Sequence, residues 1–311
     1  MLNNIKAAIK KLPILRQIIS QRDNAIAERD KLRSELNVFV PSGHFYSPIP
    51  AIDEIKQDEE KIFGSIPRKI LDLELHEEEQ LDLLNQFVSY YNNMPFKAEK
   101  HEGLRYFFEN PAYSYSDAIL LHCMIRHLKP KNIIEVGSGF SSCMTLDTNQ
   151  LFFNGTIATT FIEPYPELLI SLVNESDKSK TKIIAKRLQD VDLSEFETLQ
   201  ANDILFIDST HVSKINSDVN RIFFDILPRL ASGVYIHFHD IFYPFEYPKY
   251  WIYEGRAWNE MYLLRAFLQN NNRFRIVLIN TFMEHFHEPF FQEKMPLCLK
   301  NRGGSIWLRK E

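Results

Sequence analysis

Residues 132–142 read Asn-Ile-Ile-Glu-Val-Gly-Ser-Gly-Phe-Ser-Ser. A short apolar run, two glycines one residue apart and small polar residues opening a helical stretch predict a strand, a tight turn and a helix. Gly137 and Gly139 let backbone approach a ligand, and the following helix start offers free N–H groups. A dinucleotide fingerprint wants a third glycine where this chain has Ser142. Glu135, two residues before the first glycine, is badly placed for a pyrophosphate and well placed for a cationic or amino-bearing ligand.

Outward from this turn, strand-like runs recur at Thr156–Ile162, Lys182–Lys186, Asp203–Ile207, Gly233–Phe238, Phe274–Asn280 and Ser305–Arg309. Amphipathic stretches at 141–151, 165–175, 214–230 and 257–270 separate the earlier ones. Alternation of apolar strands and helices predicts an α/β fold, a doubly wound and mostly parallel sheet with helices on both faces. No helix is evident between the last two runs, so they read as an antiparallel edge pair. In such sheets the ligand sits at the carboxyl ends of the strands.

Those strand ends carry the chemistry. The second ends in Ile162-Glu163-Pro164-Tyr165, an acid positioned to hold ribose hydroxyls. After the third, Leu188-Gln189-Asp190 can border an adenine. The fourth reads Ile204-Leu205-Phe206-Ile207-Asp208-Ser209-Thr210-His211, and the fifth Tyr235-Ile236-His237-Phe238-His239-Asp240. Alternation puts His237 and His239 on one face. Three of the chain's 10 histidines, with two aspartates, thus share adjacent strand ends. This predicts a proton-transfer or metal site, with Mg²⁺ favoured by carboxylates and softer divalent ions by imidazole. His211 suits a general base.

In combination these segments, from Glu-Val-Gly-Ser-Gly through Phe-Ile-Glu-Pro and Asp-Ser-Thr-His to His-Phe-His-Asp, resemble the class I S-adenosylmethionine-dependent methyltransferases. The chain looks nearest the branch with an Asp-Ser-x-His turn after the fourth strand, which includes macrolide-sugar O-methyltransferases. The resemblance covers roughly residues 113–311. It implies seven strands in the order 3-2-1-4-5-7-6 with strand seven antiparallel. It further implies a cofactor site of Glu135, Gly137, Ser138, Gly139, Ser141, Glu163, Gln189, Asp190 and Asp208. His211, Asp208 and His239 would be catalytic, and Asp208, Asp240 and His239 would hold Mg²⁺ or another divalent metal. The expected reaction is O-methylation of a glycan or glycosylated small molecule by S-adenosylmethionine. A nicotinamide oxidoreductase lacks its third glycine. An iron-dependent hydroxylase on the same scaffold and a non-catalytic cofactor-binding scaffold protein remain as alternatives.

Composition narrows the partners. The 311 residues carry 36 Lys plus Arg against 41 Asp plus Glu, a net charge of −5, which argues against a dedicated nucleic-acid binder. No apolar run reaches the roughly 18–20 residues of a membrane span. Three scattered cysteines favour a reducing, cytoplasmic setting over a disulfide framework. Residues 1–38 read as a helical, weakly coiled-coil extension. Ile18, Ala25 and Leu32 form one seam, while Arg22 and Arg29 intrude on the other, so it suits a solvated helix, a homo-oligomer contact or a membrane-surface helix. Residues 39–112 read as linker and helical cap, with a helix expected at 76–93; a further helix is expected at 116–128, in the domain that follows, capped by Ser116.

Past Asp240, eight aromatics fall between Phe242 and Trp258. They read either as a plug under the C-terminal helix or as a substrate lid suited to carbohydrate. Trp258, Leu263, Leu264 and Phe267 read as helix core, and His285, His287 and Glu288 as a surface loop.

Overall fold

The computed structural model describes residues 13–35 and 38–311. The chain divides into two compact units after Ile62. The first contains helix α1 (Pro13–Glu35) and helix α2 (Ile52–Gln57). The seam positions at residues 32 and 36 lie outside the described side chains. The second unit, from Phe63 onward, holds the sheet and every residue predicted for the site.

Seven strands form that sheet: β1 (Asn132–Val136), β2 (Ala158–Ile162), β3 (Lys182–Ile184), β4 (Ile204–Ile207), β5 (Tyr235–His239), β6 (Phe274–Ile279) and β7 (Ser305–Lys310). Their order is β3-β2-β1-β4-β5-β7-β6, with β7 antiparallel to both β5 and β6 and every other pair parallel. The expected topology is the one observed. β1 lies mid-sheet, so its residues are almost all buried, as a strand covered on both faces must be. Asp203 ties the entering ends together: its carboxylate accepts the N–H groups of Lys131 and Asn132 before it leads into β4.

Helix α3 (Glu77–Asn92) and helix α4 (Tyr115–Leu128) precede the sheet. α4 is buried along nearly its whole length. Ser114, not Ser116, occupies the cap position of α4, and Ser116 donates instead to Glu284 inside the core. Burial overrides local capping preference here. α5 (Phe140–Phe153) follows the glycine turn. The helical pattern at 214–230 resolves into an α-turn (Asp218–Arg221), a π-turn (Ile222–Ile226) and a 3-10 turn (Leu227–Arg229).

Two expectations fail near the C-terminus. Helices α6 (Asn280–Phe286) and α7 (Glu288–Lys294) lie between β6 and β7. Their apolar face covers the sheet, with Phe282, Met283 and Phe291 buried, so the period was there but masked by many aromatics. His285, His287 and Glu288 are consequently helix-terminal residues. His287 pairs with Glu77 and Glu288 with Arg302, which points them at different partners.

Candidate active site

The glycine turn and the fourth strand end make one structure. Gly137 has φ +78, and a Cβ there would stand 1.8 Å from the Asp208 carbonyl oxygen. Its side-chain hydrogen is therefore required by the close approach of the β1 and β4 tips. Gly139 has extended backbone, and a Cβ on it would meet Leu168 at an ordinary 3.5 Å. Only the first glycine is sterically compelled.

Glu135 is fully buried behind this turn. One of its oxygens accepts the hydroxyls of Ser141 and Ser142, each at 2.7 Å, and Ser142 Oγ accepts the Gly139 N–H. Burial raises the Glu135 pKa to about 8, against the lowering effect of the two serines. Its other oxygen, like Ser138 Oγ, is buried without a partner. Glu163 binds the turn from the β2 tip, accepting the N–H of Ser138 at 3.3 Å and of Tyr165 at 2.9 Å.

A cavity of about 360 Å³ opens at these tips. Gly137, Glu163, Gln189 and Asp208 are among the predicted residues on its wall. Glu135, Ser138, Gly139 and Ser141 form the turn behind it. Gln189 and Asp190 lie in a 3-10 turn (Leu188–Asp190). Gln189 donates to the Asn216 carbonyl, and Asp190 pairs with Arg187 on the exposed surface rather than facing the cavity.

Beside the cavity, three side chains converge. Asp208, His211 and Asp240 offer ligand atoms that all lie within 4.8 Å of one another. His211 Nε2 is 3.4 Å from both Asp208 Oδ1 and Asp240 Oδ2. His211 and Asp240 both adopt positive φ, 59° and 56°. Such backbone in non-glycine residues persists only where surroundings impose it. Those surroundings begin at helix α8 (Glu260–Leu268), since the His211 carbonyl accepts the N–H of Asn259 and of Glu260. Thr210 is pinned as well, its N–H and hydroxyl both donating to Asp218.

Glu260 is the residue sequence reasoning missed. It is fully buried, and its Oε2 contacts His211 Nδ1 at 2.9 Å while Oε1 accepts Ser209 Oγ. An acid at a helix start reads ordinarily as a dipole partner, so 49 residues of separation hid the pair. Burial opposes charge on His211, but the hydrogen bonds to Asp208 and Glu260 and the charges of Glu260 and Asp240 outweigh it, and its pKa stands at about 10. Burial pushes the Asp240 carboxyl upward, whereas for Asp208 the nearby His239 and His211 outweigh burial and pull it down.

The remaining histidines of β5 divide. His237 is buried between Phe206 and Trp307, with ring centroids 4.2 and 4.7 Å away, as a core residue. His239 is buried against Tyr113, and its Nε2 lies 3.6 Å from the far oxygen of Asp240. Asp208 and Asp240 are thus grouped with His211, and His239 sits one layer behind them. Burial resists protonation of His239, and the carboxylates of Asp240, Asp208 and Asp117 reverse that.

Part of the aromatic segment packs as the anticipated plug. Tyr243, Phe245, Tyr247 and Ile252 are buried, and Tyr243 packs against Phe282 and Phe286 as a plug. Trp258 is not helix core. It precedes α8 and lies over His211 with a centroid distance of 4.4 Å.

Residues 134–241, which span the glycine turn through Asp240, match the family described as Methyltransferase domain. The chain carries a methyltransferase domain. It belongs to one family with an uncharacterized protein of Archaeoglobus fulgidus, 38% identical over 173 residues, 55% of this chain and 78% of that one. A methyltransferase of Podospora anserina, solved with S-adenosylhomocysteine bound, is similar at 15% identity and a TM-score of 0.41, covering 88% of this chain and 99% of its own. An O-methyltransferase of Streptomyces achromogenes involved in tomaymycin synthesis is similar at 13% identity and a TM-score of 0.43, covering 77% and 92%. Among the described residues, no helix of this methyltransferase-domain protein is long and apolar enough to cross a membrane.

Proposed function

We propose that this protein methylates a hydroxyl oxygen of a glycan or glycosylated small molecule with S-adenosylmethionine as donor and His211 as base. The observation that carries the reading is the His211 imidazole, held at Nδ1 by buried Glu260 and aimed at Nε2 toward Asp208 and Asp240, at the edge of the Gly137–Glu163 cavity.

S-adenosylmethionine supplies a methyl group on a sulfonium, open to attack by an oxygen lone pair. The Gly137 turn and Glu163 bound the donor's side of the cleft, and Glu163 has the acceptor oxygens a ribose diol requires. Near and above the pKa of about 10, the imidazole keeps its one proton on Nδ1 beside Glu260, and Nε2 then has a lone pair for the acceptor hydroxyl proton. The imidazolium then formed lies between carboxylates, and Trp258 shields one ring face from water. Alignment of hydroxyl and methyl supplies much of the rate.

The carboxylates of Asp208 and Asp240, whose oxygens come within 4.8 Å of each other, also fit a divalent cation, which leaves His211 Nε2 to act as the base. A cation there would acidify the acceptor hydroxyl. Calorimetric titration with S-adenosylmethionine and S-adenosylhomocysteine, with and without Mg²⁺, tests donor and metal together. Micromolar binding is expected, and absence of binding in both conditions refutes the reading. His211→Ala should retain donor affinity while turnover falls about 10²–10⁴-fold, the usual general-base contribution.

A further inference from the structure

Between Asp240 and α8 the chain builds a stack that reaches His211 through Trp258. The Arg256 guanidinium lies 4.3 Å from the ring centroid of Trp251 and 5.2 Å from that of Trp258. The two indoles are 5.2 Å apart and nearly perpendicular. Trp258 in turn covers His211. Arg256 is also close enough for its charge to act on the Asp240 carboxyl. A cation pre-aligned by two rings loses little freedom on meeting an anion.

The guanidinium edge already holds a carboxylate. Arg256 Nε and Nη2 approach the same oxygen of Glu254, at 3.2 and 3.1 Å. Using one oxygen leaves the two-point fork unfilled. Both side chains are exposed, 38% and 54%, and an ion pair in water is held weakly.

We infer that the Trp251–Arg256–Trp258 stack anchors the acceptor, and that the acceptor bears a carboxylate near its reacting hydroxyl, as a uronic acid does. This rests on the methyl-transfer reading above. The carboxylate displaces Glu254 and takes both points of the Arg256 fork, while an indole carries the apolar face of the sugar ring. A fixed cation is needed on this side, because Asp208, Asp240, Glu260 and Glu163 would otherwise repel an acidic acceptor.

The test uses the full chain saturated with S-adenosylhomocysteine, whose binding is measured first by calorimetry. Tryptophan fluorescence is then titrated with galacturonate and with galactose. Trp251 and Trp258 are half-buried reporters, whereas Trp307 is buried in β7. Galacturonate should half-saturate at a concentration about tenfold below galactose, as a charge-assisted hydrogen-bond pair gives. Arg256→Gln should abolish that difference, its S-adenosylhomocysteine affinity reporting that it is folded. Glu254→Gln should tighten galacturonate binding and leave galactose unchanged. Equal affinity for the two sugars, binding of neither, or a preference that survives Arg256→Gln overturns the inference while donor binding stands. Failure to bind S-adenosylhomocysteine overturns the methyl-transfer reading itself.

Discussion

Glu260 decides how His211 behaves. Its carboxylate contacts Nδ1, and two backbone N–H groups at its helix start hold the His211 carbonyl. Glu260→Gln should lower turnover about tenfold or more, with donor affinity unchanged, because tautomer control is weakened. The same change removes a carboxylate that raises the imidazole pKa, so the rising limb of the pH–rate profile should move to lower pH. A role confined to packing would leave that limb in place. Stability follows the same group. The folded pKa of about 10 lies above the unfolded value near 6.5, so the imidazolium stabilises the fold fully below about pH 6.5 and loses that contribution as pH rises toward 10. The melting-temperature gap between wild type and Glu260→Gln should accordingly narrow from pH 6.5 to 10. The place of Glu260 beside His211 could not be read locally. His211 was legible from its place after an apolar strand, but its partner lies on a helix that only the packed sheet brings alongside.

The glycine turn shows how an element constrains its residues unequally. A Cβ at Gly137 would collide with Asp208 backbone at positive φ, while one at Gly139 meets only ordinary contact. Gly137→Ala should therefore cost about 1–3 kcal/mol or more, the range for enforced backbone strain, and Gly139→Ala much less. Thermal melts of the two variants check this, and equal losses would contradict the geometry. From sequence the two glycines looked alike, since spacing does not reveal which one faces a neighbouring strand. The aromatic segment is similar. Its composition announced burial or binding, but the division between a Tyr243 plug and a Trp258 cover depends on which elements pack against it.

At the scale of the whole molecule, residues before the sheet are bound into it by charge. Arg105 reaches Asp147 on α5 and Asp177 beyond β2, and all three side chains are nearly buried. Arg105→Ala leaves two carboxylates without their cation and should cost about 3–5 kcal/mol in denaturant unfolding. By contrast, removing residues 1–38 should leave S-adenosylhomocysteine affinity unchanged, as every site residue lies beyond Phe63, and light scattering of the same protein reports any assembly through α1. The strands were readable because buried parallel strands announce themselves as apolar runs with acids and glycines at their carboxyl ends, while their order came from the family resemblance. That pattern by itself determined the sheet, the Gly137 turn, and the presence of Glu163, Asp208, His211 and Asp240 at one rim. Only the tertiary structure decided that Glu260 closes on His211, that His237 is core while His239 lies behind Asp240, and that Trp258 covers the imidazole. These are contacts between segments distant in sequence, and their geometry is settled by packing rather than by local spacing.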